Sequence, residues 1–245
     1  MTTIIPKDHP RYESLMIRER LVNGFKAGIV CAEGLIAHGR GEAFDYILGE
    51  KTIEPAMITT RAAVAAMLTA KHPVISVNGN TAALVPDELV RLSEKIGAPL
   101  EVNLFHRIED RVDKIIHHLE THGAKNVLGK KAEARIPGIS HERAKVCKEG
   151  IYSADIVLVP LEDGDRCEAL VNMNKKVIAI DLNPLSRTAQ TASVTIVDNV
   201  ARAIPNMIKL VDEMKTLPES ELEHMRTSYD NKAMLEEVIR RIKML

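Results

Sequence analysis

A polar segment that directly follows an apolar stretch carries the clearest chemistry in this sequence of 245 residues. Val177–Ile180 is apolar and largely β-branched, which is typical of a buried strand, and Pro184 stops the pattern because proline lacks an N–H. In an open parallel sheet, ligands bind outside the carboxyl ends of the strands. The polar side chains after this strand therefore predict a nucleotide site with groups suited to phosphates. They are Asp181, Asn183, Ser186, Arg187 and Thr188.

Asn78-Gly79-Asn80 is a second polar turn that directly follows a predicted strand. Its backbone amides and carboxamides can hold a phosphate or a carboxylate. The alternative is a plain Asn-Gly turn. The second asparagine adds more polarity than such a turn requires, and this favours the binding interpretation.

Two charged segments and one histidine pair each allow two interpretations. Glu162–Asp165 either coordinates Mg²⁺ through carboxylate oxygens or forms an acidic helix start that complements the helix dipole, and the sequence slightly favours the helix start. Lys130 and Arg135 belong to a basic cluster that is equally compatible with an anion-binding loop and a solvated run of charge. His118 and His122 are better explained as solvated side chains than as metal ligands. No protein metal site is therefore predicted.

Two arginines near the amino terminus are candidates of unequal strength. Arg40 is flanked by two glycines, which predicts a tight loop where a ligand can approach the backbone closely. A short helix is expected after that loop, because apolar residues are spaced helically up to Leu48. Arg18 lies in an amphipathic helix predicted for residues 11–26, where an arginine is usually just solvated.

The elements that must position these side chains alternate between strand and helix. Residues 1–72 are mainly helical, residues 73–198 alternate, and residues 199–245 are helical again. Such alternation implies right-handed crossovers and a mainly parallel sheet. We predict a single α/β domain over residues 1–245, a Rossmann-like three-layer fold with additional amino- and carboxyl-terminal helices. The six predicted strands are Val74–Val77, Leu100–Leu104, Asn126–Leu128, Asp155–Val159, Val177–Ile180 and Val194–Val197.

Helical periods separate the strands and complete both ends of the chain. Asn199 is the expected cap of a helix that Pro205 would interrupt, so that helix either bends or begins at the proline. An amphipathic terminal helix is expected within residues 218–245. The other predicted helices are Arg61–Lys71, Asp87–Ile96, Arg107–Thr121, Glu142–Gly150 and Arg166–Asn172.

Composition and missing motifs restrict the function classes. The 33 basic and 34 acidic residues nearly cancel, and aromatic residues make up only 3%, so no nucleic-acid partner is expected. No apolar run reaches about 18 residues, so no membrane partner is expected either, and a cytoplasmic location is predicted. The usual glycine-rich nucleotide loops, the His-Glu-x-x-His zinc motif and the Gly-x-Ser-x-Gly hydrolase motif are all absent.

Five longer motifs are spread over nearly the whole chain. They are His9-Pro-Arg-Tyr-Glu-Ser, Gly34-Leu-Ile-Ala-His-Gly-Arg-Gly-Glu-Ala-Phe-Asp-Tyr, Val77-Asn-Gly-Asn-Thr-Ala-Ala-Leu-Val, Gly150-Ile-Tyr-Ser-Ala-Asp and Ala179-Ile-Asp-Leu-Asn-Pro-Leu-Ser-Arg-Thr-Ala. In these motifs the chain resembles the archaeal phosphopantothenate synthetases. The motifs are long and unlike those of other nucleotide-binding families, so the resemblance is specific.

The resemblance implies an enzyme of coenzyme A biosynthesis that uses ATP and Mg²⁺ to join 4-phosphopantoate to beta-alanine, releasing AMP and diphosphate. It also implies a Rossmann-like homodimer. Because a carboxylate does not react with an amine unaided, an acyl-adenylate is expected, with catalysis by positioning and charge rather than by a protein nucleophile. The family's ATP contacts fall on Arg18, Arg40, Asp181, Leu182, Asn183, Arg187, Thr188, Asn199 and Val200.

Hypotheses remain for the residues that bind 4-phosphopantoate, and two other function classes share parts of the pattern. We expect Asn78 and Asn80 to position 4-phosphopantoate, and Arg107, Lys130 or Arg135 to bind its phosphate. A nicotinamide-dependent oxidoreductase would share the fold, but its glycine-rich first turn is missing. A non-catalytic adenine-nucleotide sensor would keep the polar turn after Ile180 without needing a pocket for an acid.

Overall fold

The computed structural model describes residues 5–244, and its central feature is a parallel sheet. The strands are β1 (Pro73–Val77), β2 (Leu100–Val102), β3 (Ala134–Arg135), β4 (Lys145–Val146), β5 (Ile156–Pro160), β6 (Lys176–Ile180) and β7 (Val194–Ile196). The main sheet has five strands in the order β2-β1-β5-β6-β7, and every neighbouring pair is parallel. β3 and β4 form a small antiparallel pair. The predicted α/β class is confirmed.

Helices precede, connect and follow the strands. They are α1 (Tyr12–Lys26), α2 (Ala32–Ile47), α3 (Glu54–Leu68), α4 (Gly79–Leu84), α5 (Pro86–Ile96), α6 (Glu109–Thr121), α7 (Gly164–Asn172), α8 (Arg187–Thr191), α9 (Val200–Met214), α10 (Glu219–Thr227) and α11 (Asn231–Lys243). None of the helices in the described range is long and apolar enough to span a membrane. The division of the chain into three regions of one domain stays a prediction.

The main sheet is covered on both faces, as parallel sheets usually are. Alternate residues of a strand point to opposite faces, so the sheet feeds two cores. Leu158 and Ile178 belong to the core that includes α3, α5, α6 and α9. Val157 and Val177 belong to the core on the other face, which α7 covers. This arrangement of helix, sheet and helix confirms the three layers predicted from the sequence.

The order of the strands reverses between β1 and β5. In doubly wound folds such a switch point opens a crevice at the carboxyl ends of the two strands, where ligands bind. Asn78 follows β1 directly, and its side-chain amide donates a hydrogen bond to the Pro160 carbonyl at the end of β5 (2.8 Å). The crevice is therefore bordered by the two strand ends that Asn78 ties together.

The predictions for Asn126–Leu128 and Glu142–Gly150 are wrong. Asn126–Leu128 is not a strand, because a positive φ of 55° at Asn126 turns the chain, and only Leu128 forms an isolated bridge with the sheet. Glu142–Gly150 is not a helix but a short 3-10 turn, β4 and part of a π-helical turn. There the buried Glu101 carboxylate accepts the backbone N–H groups of Cys147 (2.9 Å) and Ile151 (2.6 Å), which replaces helical hydrogen bonding.

The tight loop predicted around Arg40 is also wrong, because α2 continues through it. A glycine inside a helix costs about 1 kcal/mol relative to alanine, but tertiary packing can offset that cost. Here Gly34 lets α2 approach Asn80, because a Cβ on Gly34 would collide with the Asn80 side chain. A Cβ on Gly41 would make only an ordinary contact with Leu182 at 3.5 Å, and one on Gly39 would meet no described atom within 4 Å. The two glycines beside Arg40 are therefore accommodated within α2 without forming a loop.

The predicted helix after Asn199 is confirmed and begins before the proline. The side chain of Asn199 accepts the N–H of Ala201 at 3.0 Å, so α9 begins at Val200 and Pro205 lies inside it. The carboxyl-terminal region contains two helices, α10 and α11, and the second is the amphipathic terminal helix. A short helix that the sequence analysis did not predict, α4, starts immediately after Asn78.

Candidate active site

A cavity of about 660 Å³ lies beyond the carboxyl ends of β5 and β6, with α2 on its far side. We call it the β6 cavity. Six of the nine residues predicted to contact ATP line it: Arg40, Asp181, Leu182, Asn183, Arg187 and Thr188. Its other lining residues are Ala37, His38, Gly41, Ala43, Phe44, Asn80, Leu161, Glu162, Asp163, Gly164 and Ser186.

The turn after β6 is held in shape by the side chain of Asp181. One carboxylate oxygen accepts the backbone N–H of Asn183 at 2.9 Å, and the other accepts the hydroxyl of Ser186. Ser186 in turn caps α8, because its Oγ accepts the N–H of Ala189 at 2.9 Å. Burial raises the pKa of Asp181 above its ordinary value, although these hydrogen bonds act in the opposite direction. The polar edge of the cavity is therefore built before any ligand arrives.

Arg187 and Thr188 form the first turn of α8 and play different parts in the cavity wall. The Thr188 hydroxyl donates to the Glu162 carbonyl at 2.9 Å, so this buried residue joins the turn after β6 to the loop after β5. The Arg187 side chain is 63% exposed and pairs with Glu168 on α7. Because this pair lies at the surface, the guanidinium can exchange it for a phosphate at small cost.

A second cavity, of about 280 Å³, lies beside the first, at the ends of β1 and β5. We call it the arginine cavity, because Arg40, Arg111 and Arg143 all line it. The remaining lining residues are Cys31, Glu33, Gly34, Ala37, Asn78, Gly79, Asn80, Leu104, Phe105, His106, Leu161 and Asp163. Three guanidinium groups around so small a space favour an anionic ligand such as a phosphate or carboxylate.

Arg111 is held rigidly in the wall of the arginine cavity. Its Nε donates to the Ile29 carbonyl at 2.9 Å and its Nη1 donates to the His106 carbonyl at 3.0 Å. The residue is only 9% exposed, and burial lowers the pKa of its guanidinium. Only glycine fits at position 79, which faces the Arg111 side chain. A Cβ on Gly79 would collide with the Ile29 carbonyl and lie 2.6 Å from Arg111 Nη2.

Arg143 reaches the arginine cavity from the short 3-10 turn and is held by a buried carboxylate. Its Nη1 donates to Glu162 at 2.7 Å. The other oxygen of Glu162 pairs with Arg166, whose side chain is completely buried and also donates to the Ser76 hydroxyl at 3.3 Å. Glu162 thus lies between two arginines, and the acidic segment after β5 acts as a positioning element for Arg143.

The two cavities share a wall, which we call the junction. Its members line both cavities and come from three elements: α2, the loop after β1 and the loop after β5. They are Ala37, Arg40, Asn80, Leu161 and Asp163. A ligand in the arginine cavity and a ligand in the β6 cavity would therefore meet beside one arginine and one carboxylate.

Asn78 and Asn80 lie in the cavity walls, and the protein uses most of the hydrogen-bonding capacity of Asn78 but only one hydrogen bond of the described Asn80 side chain. Asn78 donates to the carbonyls of Pro160, which ends β5, and of Leu161, and it accepts the N–H and the hydroxyl of Thr81 at 3.0 Å each. Asn80 donates to the Gly34 carbonyl at 2.7 Å. Their visible effect is to fix α2 and the loop after β5 around the cavities.

Six other predicted site residues lie outside the lining of both cavities. Arg18 donates to Glu42 of α2 at 2.7 Å. Asn199 caps α9 and donates to Asp45 of α2 at 3.0 Å, which braces α2 from behind. The Arg107 side chain is enclosed against the Gly129 carbonyl (2.8 Å). The remaining residues are Val200, which is buried, and Lys130 and Arg135, which are exposed.

Sequence reasoning missed Arg111 and Arg143. Arg111 lies four residues before Ile115, on the stripe of α6 that also contains Leu119 and is buried in the core. A charge on that stripe was a usable signal, because a buried arginine needs a partner or a function. Arg143 lies in the segment for which the sequence predicts a helix, and a helical register gives the wrong direction for its side chain.

Comparison with known proteins places the chain in a family. Residues 55–245 match the family described as phosphopantothenate/pantothenate synthetase. The chain is 57% identical to a 4-phosphopantoate–beta-alanine ligase of Methanosarcina mazei, over 98% of this chain and 95% of the relative. It is 54% identical to the enzyme of the same name from Thermococcus kodakarensis, over 98% of this chain and 92% of the relative. With a matched region of this extent and relatives this similar, the chain belongs to the phosphopantothenate/pantothenate synthetase family.

Proposed function

We propose that this protein is an ATP-dependent ligase that joins 4-phosphopantoate to beta-alanine to make 4'-phosphopantothenate, with release of AMP and diphosphate. The names of the similar ligases support the two substrates. One structural observation carries the proposal. A cavity with a polar turn suited to a nucleotide meets a cavity lined by three arginines at a shared junction.

The chemistry requires two ligands to touch at that junction. A carboxylate does not react with an amine unaided, so the acid is first activated on ATP. The carboxylate of 4-phosphopantoate attacks the α-phosphorus, diphosphate leaves, and an acyl-adenylate forms. The amine of beta-alanine then attacks the acyl carbon and AMP leaves. Both steps gather negative charge, so positioning and fixed positive charge account for the catalysis.

The cavities divide the two ligands between them in this proposal. ATP occupies the β6 cavity, where Arg187 and Thr188 face its phosphates and the turn at Asp181 and Asn183 faces its ribose or base. 4-Phosphopantoate occupies the arginine cavity with its carboxylate toward the junction. Arg40 lies at the junction, where it can neutralise the charge that develops on the α-phosphate.

Arg111 and Arg143 are the best placed groups for the phosphate of 4-phosphopantoate. Both line the arginine cavity, and both are oriented by hydrogen bonds before the ligand binds. Arg107, Lys130 and Arg135 lie outside the cavity lining, so the geometry favours Arg111 and Arg143 for this role. Asn80, at the junction, remains our candidate for positioning the acid.

The described residues do not fit a protein-held Mg²⁺ site. Within residues 5–244, no group of three or more His, Cys, Asp or Glu side chains could hold a metal ion. Two carboxylates that line the β6 cavity are also occupied, Glu162 by two arginines and Asp181 by its own turn. Mg²⁺ commonly keeps several waters and binds substrate phosphates. We therefore propose that Mg²⁺ arrives on the phosphates of ATP.

The assembly and location of the protein also remain proposals. We propose a homodimer, supported by exposed apolar side chains on α2 that a second copy could cover, namely Ile36, Tyr46 and Ile47. Light scattering on the purified protein should give twice the mass of one chain, and a monomer would contradict this. We also keep the cytoplasm as the proposed location of the enzyme.

The ligase proposal can be tested with four components in one reaction. The protein is mixed with ATP, Mg²⁺, 4-phosphopantoate and beta-alanine, and the products are separated by chromatography and mass spectrometry. AMP and 4'-phosphopantothenate should form in equal amounts. Absence of 4'-phosphopantothenate would refute the ligase, whereas formation of ADP in place of AMP would refute only the adenylate route.

Arg187→Ala should weaken ATP binding about ten- to a hundredfold, because a hydrogen bond to a charged group contributes roughly 1.5–3 kcal/mol. The fold should remain intact, since Arg187 is exposed and pairs only with a surface carboxylate. Isothermal titration calorimetry with ATP measures the affinity.

Arg240→Ala is the matched control for this variant. Arg240 is also an exposed arginine paired with a glutamate, Glu237 (2.8 Å), but it lies on α11 and lines neither cavity. Its affinity for ATP should equal that of the unmodified protein. Equal affinities for all three proteins would show that ATP is not bound in the β6 cavity.

A further inference from the structure

The second step of the proposed reaction requires a group that removes a proton from the attacking amine, which the first step does not require. The amine of beta-alanine resembles that of lysine, with a pKa near 10.4, so roughly one molecule in a thousand carries a free lone pair at pH 7. Only the neutral amine can attack the acyl carbon. A group beside that carbon must therefore accept a proton from the ammonium, and general bases act at hydrogen-bond distance.

Asp163 lies where such a group is required. The acyl carbon joins the acid to AMP, so it must be located where the arginine cavity meets the β6 cavity. Asp163 is the only carboxylate among the five junction residues. The other titratable groups of the arginine cavity, Cys31, Glu33 and His106, do not line the β6 cavity and so do not reach the junction.

The Asp163 carboxylate is not fully engaged by the protein, because its side chain is 41% exposed and one of its oxygens makes no hydrogen bond within the described residues. Oδ2 is buried and lies 2.7 Å from Nε of Arg143, but the angle of this contact is not that of a hydrogen bond. Within the described residues this oxygen has no other partner. The neighbouring acidic side chains differ in this respect, since Glu162 is paired with two arginines and Asp165 with His141 (2.7 Å).

The surroundings of Asp163 suit a base rather than a permanently charged partner. Burial raises the pKa of Asp163, and the neighbouring carboxylates of Glu162 and Asp165 raise it further. Arg143 and Arg166 act in the opposite direction without outweighing burial. A raised pKa makes a carboxylate a stronger base, and the adjacent arginine favours its ionised form.

We propose that Asp163 is the catalytic base that accepts the ammonium proton of beta-alanine at the junction. The proposal rests on the ligase function proposed above. The first N–H proton moves to Asp163, and the freed lone pair forms the C–N bond at the acyl carbon. The bond from that carbon to the AMP phosphate oxygen then breaks, and its electron pair leaves with AMP. The second N–H proton is released to water as the amide forms.

Two half-reactions separate this role from adenylation. Exchange of labelled diphosphate into ATP, with 4-phosphopantoate and without beta-alanine, reports adenylate formation only. Hydroxylamine is uncharged at neutral pH and traps the adenylate as a hydroxamate without needing a base. Formation of 4'-phosphopantothenate from beta-alanine needs both the adenylate and a neutral amine. The three rates are measured for the unmodified protein, Asp163→Asn and Asp165→Asn.

Asp163→Asn should lose roughly 10²–10⁴-fold in 4'-phosphopantothenate formation at pH 7, the usual contribution of a general base. Its exchange and hydroxamate rates should stay close to those of the unmodified protein. The difference in rate between Asp163→Asn and the unmodified protein should shrink as the pH rises toward the pKa of the free amine. A larger fraction of beta-alanine in solution then carries a neutral amine and needs no base. Asp165→Asn should keep all three rates nearly unchanged, because Asp165 lines neither cavity and raises the pKa of Asp163 less than burial and Glu162 do.

Each other outcome overturns the proposal. An unchanged rate with beta-alanine in Asp163→Asn would show that no base is needed there. Loss of exchange together with ligation would place Asp163 in adenylation instead, whether through the metal or through Arg143. If Asp163→Asn does not fold, Asp163→Ser is measured in the same three assays. Absence of exchange in the unmodified protein would refute the ligase mechanism itself, which distinguishes the two failures.

Discussion

Arg166→Met should lower the free energy of unfolding by about 3–5 kcal/mol, because removing one partner of a buried ion pair leaves an uncompensated charge. The Arg166 side chain is completely buried in α7, and its partner Glu162 is only 1% exposed. Methionine fills much of the same volume, so the loss reflects charge rather than a void. Urea denaturation followed by circular dichroism measures the change.

Arg240→Met provides the surface comparison for Arg166→Met. Arg240 pairs with Glu237, three residues earlier on the same helix, but its side chain is 59% exposed. Exposed pairs of this kind contribute up to about 1 kcal/mol. A similar loss in the two variants would contradict the prediction, because it would show that burial of the Arg166 pair has no special cost. Substituting Glu162 in addition tests coupling, since the two changes should not be additive.

The same charged cluster links stability to the proposed chemistry. Glu162 uses one oxygen for Arg166 and the other for Arg143, and Arg143 lies beside Asp163 at the junction. An arginine whose guanidinium is already held in place loses little conformational entropy when it binds a phosphate. The buried pair that stabilises α7 therefore also orients a cation of the proposed site, so Arg166→Met should impair ligation even where the protein remains folded.

The part of the site that follows a strand was predictable from the sequence. The run Val177–Ile180 and the proline after it identified both a buried strand and its end, and the structure has β6 over Lys176–Ile180. The polar residues after that strand line the β6 cavity. This worked because a parallel strand is defined by local apolar residues, and because the position of its carboxyl end relative to ligands is a rule of the fold.

The parts of the site that depend on distant contacts were not predictable. Glycines around Arg40 indicate a loop when only local propensity is considered, yet α2 runs through them, with Asn80 packed closely against Gly34 and Asp45 of the same helix bonded to α9. Residues 142–150 have a helical pattern, yet Glu101, more than 40 positions earlier, accepts the N–H of Cys147 and, just beyond this segment, that of Ile151. In both cases tertiary contacts outweigh propensity, which is a weak influence at any single position.

Glu101 should make the protein lose stability as the pH rises from about 4.5 to 7. Its carboxyl is fully buried in β2, and burial raises its pKa from 4.5 to about 7. The folded protein therefore holds a proton that the unfolded chain releases over this interval. Where the folded state binds more protons, stability falls with pH, and a shift of this size corresponds to about 3 kcal/mol once the pH exceeds 7. Below 4.5 both states are protonated and the effect vanishes.

Glu101→Gln isolates this contribution, because other titrating groups cancel in the difference between the two proteins. Both oxygens of Glu101 accept backbone N–H groups, and the amide of glutamine would oppose one of them, at a cost of about 1–3 kcal/mol. The variant should thus be about 1–3 kcal/mol less stable at pH 4.5, and the difference should shift by about 3 kcal/mol in its favour toward pH 8, where it becomes as stable as the unmodified protein or more stable. Urea denaturation of both proteins across this range measures the gap, and a gap independent of pH would contradict the prediction. Arg166 lowers the pKa of Glu101, so in Arg166→Met the loss of stability should continue to higher pH and become larger.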